Sequence, residues 1–192
     1  MDVKSLLTAA TLAATWHAQQ TRKGSNREPY VNHLLDVAAL IAAHVDEPST
    51  DLLIAALLHD AIEDQGISPE EIEVRFGSRV LALVQEVSDD KTLPKAERKQ
   101  LQIEKTAHKS HDAKVLTLAD KISNLTSLAQ NLPADWDSLR LVEYVEWARK
   151  VVDQLRGTSA ALEVRFDAAA AAAEQASRTL ADVGFSSVKT SA

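Results

Sequence analysis

Residues 52–64 read Leu52-Leu53-Ile54-Ala55-Ala56-Leu57-Leu58-His59-Asp60-Ala61-Ile62-Glu63-Asp64. The first seven are apolar and four of the next six are ionisable. A helix apolar on every side belongs in the middle of a protein. The spacing predicts one continuous helix in which His59 lies over Glu63 and Asp60 over Asp64. Three carboxylates packed this closely repel one another unless a cation or hydrogen-bond donors stand among them. A bound metal ion is the first expectation, and its other ligands must come from elsewhere in the chain.

The flanking segments are helical as well. Lys4 to Gln20 carries Leu6, Leu7, Ala10, Ala13, Ala14 and His17 on or near one face, and Tyr30 to about Val45 carries Leu34, Val37, Ile41 and Val45 on one stripe. Residues 20–29 between them form a polar loop. Ser49 or Thr50 is placed to cap the central helix, Gln65-Gly66-Ile67 ends it, and Ser68-Pro69-Glu70-Glu71 opens the next. Beyond Phe76-Gly77 a helix runs to about Ser88, a charged one follows from Lys95 to about His108, and another spans about Asp112 to Leu128. Two more, about 135–155 and 158–181, close the chain, with 184–192 expected to be loose. Strand alternation, repeats and flexible linkers are absent from the pattern. The expectation is a single all-α domain over 1–192, a bundle of about eight to ten helices.

Composition agrees. Of 192 residues 45% are apolar and 26% charged, with only 5 Gly and 5 Pro, which favours helix in an ordinary globular chain. The first residues lack the pattern of a secretory leader, and no apolar run approaches the roughly 20 residues that cross a membrane. With no Cys there are no disulfides or zinc-thiolate sites, as suits a cytoplasmic protein. A net charge of −7 argues against nucleic-acid binding, though a small anion is accommodated where cations cluster. Oligomeric state, monomer or homodimer, is not written in these features.

His33, His59-Asp60 and Asp120 each lie beside a strong apolar stripe on successive core helices, so all can face one bundle interior. Two imidazoles and two carboxylates suit Mn, Fe or Zn better than Ca or Mg. A structural polar network in the core is the other reading of the same residues. His111-Asp112 is a second HD pair without a buried helix before it and reads as a helix start, and His17 reads as structural support. Trp136 and Trp147 read as packing residues.

The surrounding words carry a resemblance. Pro29-Tyr30-Val31-Asn32-His33, Ala55-Ala56-Leu57-Leu58-His59-Asp60-Ala61-Ile62-Glu63-Asp64, Phe76-Gly77, Glu97-Arg98-Lys99 and Leu118-Ala119-Asp120-Lys121-Ile122-Ser123-Asn124-Leu125 resemble the HD-domain phosphohydrolases. Specifically, they resemble the RelA/SpoT hydrolase domain standing alone as a small alarmone hydrolase. Asp89-Asp90-Lys91-Thr92-Leu93-Pro94-Lys95 and Glu143-Tyr144-Val145-Glu146-Trp147-Ala148 are similar to its metazoan SpoT-homologue branch. The likeness covers roughly residues 3–160.

This resemblance implies removal of the 3′-pyrophosphate from (p)ppGpp with a single Mn²⁺ held by His33, His59, Asp60 and Asp120. Glu63 and Asp64 would orient and deprotonate the attacking water. Arg22, Lys23, Lys95, Asn124, Arg140 and Tyr144 would contact the nucleotide, with Arg98 and Lys99 as weaker candidates. Two further readings stand beside it: an NADPH 2′-phosphatase or other nucleotide phosphohydrolase using the same site, and a non-catalytic nucleotide-binding domain. Glu28 and Thr126-Ser127 depart from the family pattern, the first at the expected pocket mouth and the second where many relatives carry Arg-Asp.

Overall fold

Ten helices make up the regular structure among the described residues, which in this computed structural model are 2–189 for the backbone and 2–181 for the side chains. In chain order they are α1 (Val3–Trp16), α2 (Val31–His44), α3 (Thr50–Leu58), α4 (Ala61–Gln65) and α5 (Pro69–Phe76). They continue as α6 (Ser78–Val87), α7 (Lys95–Thr106), α8 (His111–Gln130), α9 (Ser138–Asp153) and α10 (Ala160–Lys189). The all-α expectation holds.

The apolar run forms α3, and every residue from Leu52 to Leu58 is buried. A helix loses its whole circumference only when neighbours cover all sides, and α1, α2, α6 and α8 do so. Each Leu or Ile buried this way contributes about 1.5–3 kcal/mol. Ser49 caps the element, its Oγ accepting the Leu52 N–H at 3.1 Å.

The continuous helix expected over 52–64 is not formed. The chain breaks at His59-Asp60, where Asp60 sits at φ −98°, ψ 1°. His59 Nδ1 hydrogen-bonds to the Ala56 carbonyl at 2.8 Å, and that carbonyl is the one an unbroken helix offers to the Asp60 N–H. The imidazole thus ends α3 with its own side chain. Chain direction resumes in α4, which stops at Gly66, whose φ of 66° is the left-handed geometry favoured by glycine.

α10 packs along α8 and α9 through Leu162, Phe166 and the small Ala169, Ala170 and Ala173, which let the backbones approach closely. It continues to Lys189, past the expected end at 181, so 184–189 are helical rather than loose and 190–192 lie outside the described residues. On the opposite side α7 contacts α9, where the Trp147 indole N–H donates to the Lys99 carbonyl at 3.1 Å. Between this pair and the α4–α8 side of the core lies a cavity of about 710 Å³. Among the described residues no helix is long and apolar enough to cross a membrane.

Candidate active site

His33 from α2, His59-Asp60 from the α3–α4 break and Asp120 from the middle of α8 meet at one point. His33 Nε2 is 3.3 Å from Asp120 Oδ1 and 3.7 Å from Asp60 Oδ2. His59 Nε2 is 3.1 Å from Asp60 Oδ2 and 3.8 Å from Asp120 Oδ1. One ligand atom each from His33, His59 and Asp60 falls within 4.8 Å of the others. Asp120 is outside that tight trio yet reaches both imidazoles, closing the set from the α8 side.

The outer nitrogens are fixed. His33 Nδ1 is hydrogen-bonded to the Ser123 hydroxyl at 2.9 Å and His59 Nδ1 to Ala56 O at 2.8 Å, so each ring turns Nε2 toward the common point. His59 Nε2 is buried and makes no well-directed hydrogen bond despite its short distance to Asp60. A buried ring nitrogen without a well-directed partner among carboxylates fits a divalent ion better than a self-satisfied polar network.

The electrostatics point the same way. Burial acts to lower His59, but the Asp60 carboxylate outweighs it and lifts the imidazole to about 9. Burial pushes His33 below its ordinary value. Burial would raise Asp60 and Asp120, but the His59 charge for the first and the Lys121 ammonium for the second hold both well below the usual carboxylate range. Lys121 Nζ is 2.9 Å from Asp120 Oδ2. The Tyr30 hydroxyl donates to Asp60 Oδ2 at 2.7 Å, and His17 stacks on the Tyr30 ring with centroids 5.3 Å apart. His17 therefore braces the site, as expected of it.

Glu63 and Asp64 have different surroundings. Glu63 lines the cavity, accepts the Asp89 N–H at 3.0 Å and lies 3.5 Å from Arg98 Nη1. Burial raises its carboxyl above the ordinary value. Asp64 does not line that cavity. Gln20 Nε2 donates to its Oδ2 at 2.7 Å, and Lys91 pairs with its other oxygen.

Of the residues expected at the nucleotide, Lys23, Lys95, Asn124, Arg140 and Tyr144 line the cavity. Arg22 does not. Its guanidinium turns to Asn124 Oδ1 (3.0 Å) and Ser127 Oγ (3.2 Å), and it lines a second cavity behind the cluster together with Glu28. Backbone pairing across the 20–29 loop, with Arg22 N–H on Glu28 O at 2.8 Å, fixes that orientation. Asn124 in turn donates to Asp120 Oδ1 at 2.7 Å, so the Arg22–Asn124 chain supports a ligand from behind. Glu28, expected at the mouth of the pocket, faces the back cavity instead.

Trp136 and Trp147 are not only packing residues; both form cavity wall. Tyr144 sits between them with ring centroids at 5.6 and 5.2 Å. Arg140 lies over Trp136 at 4.7 Å, and Lys99 and Lys121 over Trp147 at 4.7 and 4.8 Å. Lys121, Lys109 and Asp89 also line the cavity and were not anticipated. Lys121 had a readable signal, since it follows Asp120 directly. His111-Asp112 is remote from the cluster: His111 is exposed and Asp112 pairs with Arg79 at 2.6 Å.

A two-histidine, two-aspartate cluster at a helix break, deep in an all-α bundle, is the signature of one class of protein. The HD-domain profile matches residues 9–144, and the chain belongs to the HD-domain family. Within it the chain belongs with the MESH1 proteins. It is 47% identical over 166 residues to the guanosine-3′,5′-bis(diphosphate) 3′-pyrophosphohydrolase MESH1 of Xenopus tropicalis, covering 86% of this chain and 93% of that one. It is 46% identical over 162 residues to MESH1 of Homo sapiens, covering 84% and 90%. A solved structure of a metazoan orthologue of SpoT, described as hydrolysing ppGpp, superposes with a TM-score of 0.85 at 44% identity, covering 88% of this chain and 95% of that chain.

Proposed function

We propose that this chain is a guanosine-3′,5′-bis(diphosphate) 3′-pyrophosphohydrolase, converting (p)ppGpp to GDP or GTP and pyrophosphate with one Mn²⁺. The observation that carries the reading is the convergence of His33, His59, Asp60 and Asp120 beside the Glu63 carboxylate in a cavity rich in cations. The MESH1 relatives and the superposing SpoT orthologue supply the substrate. A cytoplasmic setting belongs to the same proposal.

His33, His59, Asp60 and Asp120 would hold the ion, which supplies Lewis acidity for the attacking water and for the charge building on phosphorus. Glu63 takes the proton from that water. Its burial makes the carboxylate more basic than an exposed one, and Arg98 and the Asp89 N–H fix its direction. Asp64, tied by Gln20 and Lys91, sets the position of α4 and of the groups Glu63 works with. Lys23, Lys95 and Arg140 offset the nucleotide's negative charge, and Tyr144 with Trp136 offers faces for the base. Water attacks the phosphorus next to the ribose 3′-oxygen, and the bond to that oxygen breaks. The 3′-oxygen takes up a proton to become the hydroxyl of GDP or GTP, and the two phosphates depart as pyrophosphate.

The test is to follow the phosphorus products of metal-stripped protein resupplied with Mn²⁺ and given ppGpp or NADPH. The expected result is pyrophosphate from ppGpp. Orthophosphate from NADPH with ppGpp untouched would move the chain to the phosphatase reading, and no turnover of either would leave the non-catalytic one.

A further inference from the structure

Lys109, in the turn between α7 and α8, is one of the part-buried cations without an ion pair among the described residues. Of the others that line a cavity, Arg22 is hydrogen-bonded to Asn124 and Ser127, and Lys99 lies over the Tyr144 and Trp147 rings. Lys121 is paired with Asp120, Arg98 with Glu63 and Lys91 with Asp64. Lys109 forms no ion pair among the described residues. The single hydrogen bond of its ammonium there goes to the Thr117 hydroxyl at 3.2 Å, and that hydroxyl donates onward to Ala113 O at 2.8 Å. Nearby Gln102 is already spent on Asp89 at 2.7 Å. Burial pushes the ammonium down to about 8, with Lys121 adding to the effect while Asp89, Asp120 and Glu86 oppose it from beyond ion-pair distance.

An ammonium has three donors, and one protein acceptor leaves it short. A partly buried charge without a partner is a standing cost that nothing in the fold recovers. The side chain nevertheless lines the cavity that contains the metal cluster and Glu63. Thr117 lies three residues before Asp120 on α8, a rise of about 4.5 Å along one helix face. The Lys109–Thr117 pair therefore faces the same cavity as Asp120, within one helical turn of it along α8. Lys23, Lys95 and Arg140 belong to other parts of the cavity wall, the first two being exposed.

We propose that Lys109, positioned by Thr117, binds the distal phosphate of the diphosphate at the reacting position, the half that departs as the far end of pyrophosphate. This rests on the pyrophosphohydrolase reading above and adds a specificity-determining residue to it. A substrate with a single phosphate there leaves Lys109 unpaired, so the residue favours diphosphorylated over monophosphorylated positions.

Pyrophosphate and orthophosphate, tested as inhibitors of ppGpp hydrolysis by Mn²⁺-loaded protein, provide the measurement. In Lys109→Met, which keeps the aliphatic stem, inhibition by pyrophosphate should weaken by about 10- to 100-fold while inhibition by orthophosphate is unchanged. Lys109→Arg should recover part of the loss. Equal effects on the two anions, or none on either, overturn the proposal. Should Lys109→Met fail to fold, acetylation of Lys109 in the wild-type protein reads the same contact. Pyrophosphate should protect it and orthophosphate should not, whereas labelling equal with both anions overturns the idea. Protection is measured whether or not ppGpp turns over, so failure of the activity reading and failure of the Lys109 contact give different results.

Discussion

Glu63 and Asp60 are three residues apart, and their environments divide the labour between them. Asp60 is held ionised against its burial by His59 and anchored by the Tyr30 hydroxyl, as a ligand requires. Glu63 is raised by burial, as a proton acceptor requires. Glu63→Gln should lower kcat by ~10²–10⁴-fold, the range of general-base catalysis, and leave Mn²⁺ affinity by calorimetry unchanged. A base must be deprotonated to act, and its raised pKa moves the acid limb upward. In the wild type kcat/KM should therefore fall on acidification at a higher pH than an ordinary glutamate would set. Full activity in Glu63→Gln would remove it from the mechanism. At this scale the meeting of His33, His59, Asp60 and Asp120 was legible because each is a polar residue beside a strong apolar stripe, with Glu63 one turn on. Asp64, expected beside Glu63 at the water, turns instead to Gln20 and Lys91. The wall residues were not legible. Lys109 carried no signal and Trp147 read as packing, because only the fold brings α7, α8 and α9 around one cavity.

Among the elements, α3 and its break carry the site. The periodicity of residues 52–58 announces a buried helix, and it is one. What periodicity does not contain is the choice His59 makes in taking the Ala56 carbonyl, a side-chain decision that splits the expected helix and turns His59 and Asp60 to the same point. Arg22 shows the same limit: the resemblance implied substrate contact, while backbone pairing across its loop directs it to Asn124. Leu58, fully buried immediately before the break, anchors the end of α3 in the core. Leu58→Ala should cost about 2–5 kcal/mol in urea unfolding, as large-to-small core changes do. It should also weaken Mn²⁺ binding, because the cavity left behind loosens the end of α3 from which His59 and Asp60 follow. A stability loss with metal affinity intact would show that the break is held by hydrogen bonds alone.

As a whole the molecule carries a net charge of −7, yet its main cavity presents Lys23, Lys95, Lys99, Lys109 and Arg140 around a carboxylate-rich cluster. A net negative chain repels an anionic nucleotide at long range while the cations of this cavity attract it, which favours small ligands over extended polyanions. The carboxylates at its floor are tolerable beside a phosphate only if a cation stands between them, so metal and substrate binding are one problem in electrostatics. The most direct check is to titrate metal-stripped protein with Mn²⁺ while following pyrophosphate release from ppGpp. Release should be absent at the start and rise to a plateau at one ion per chain. Full release from the stripped protein, or none at any Mn²⁺ concentration, would contradict the central claim.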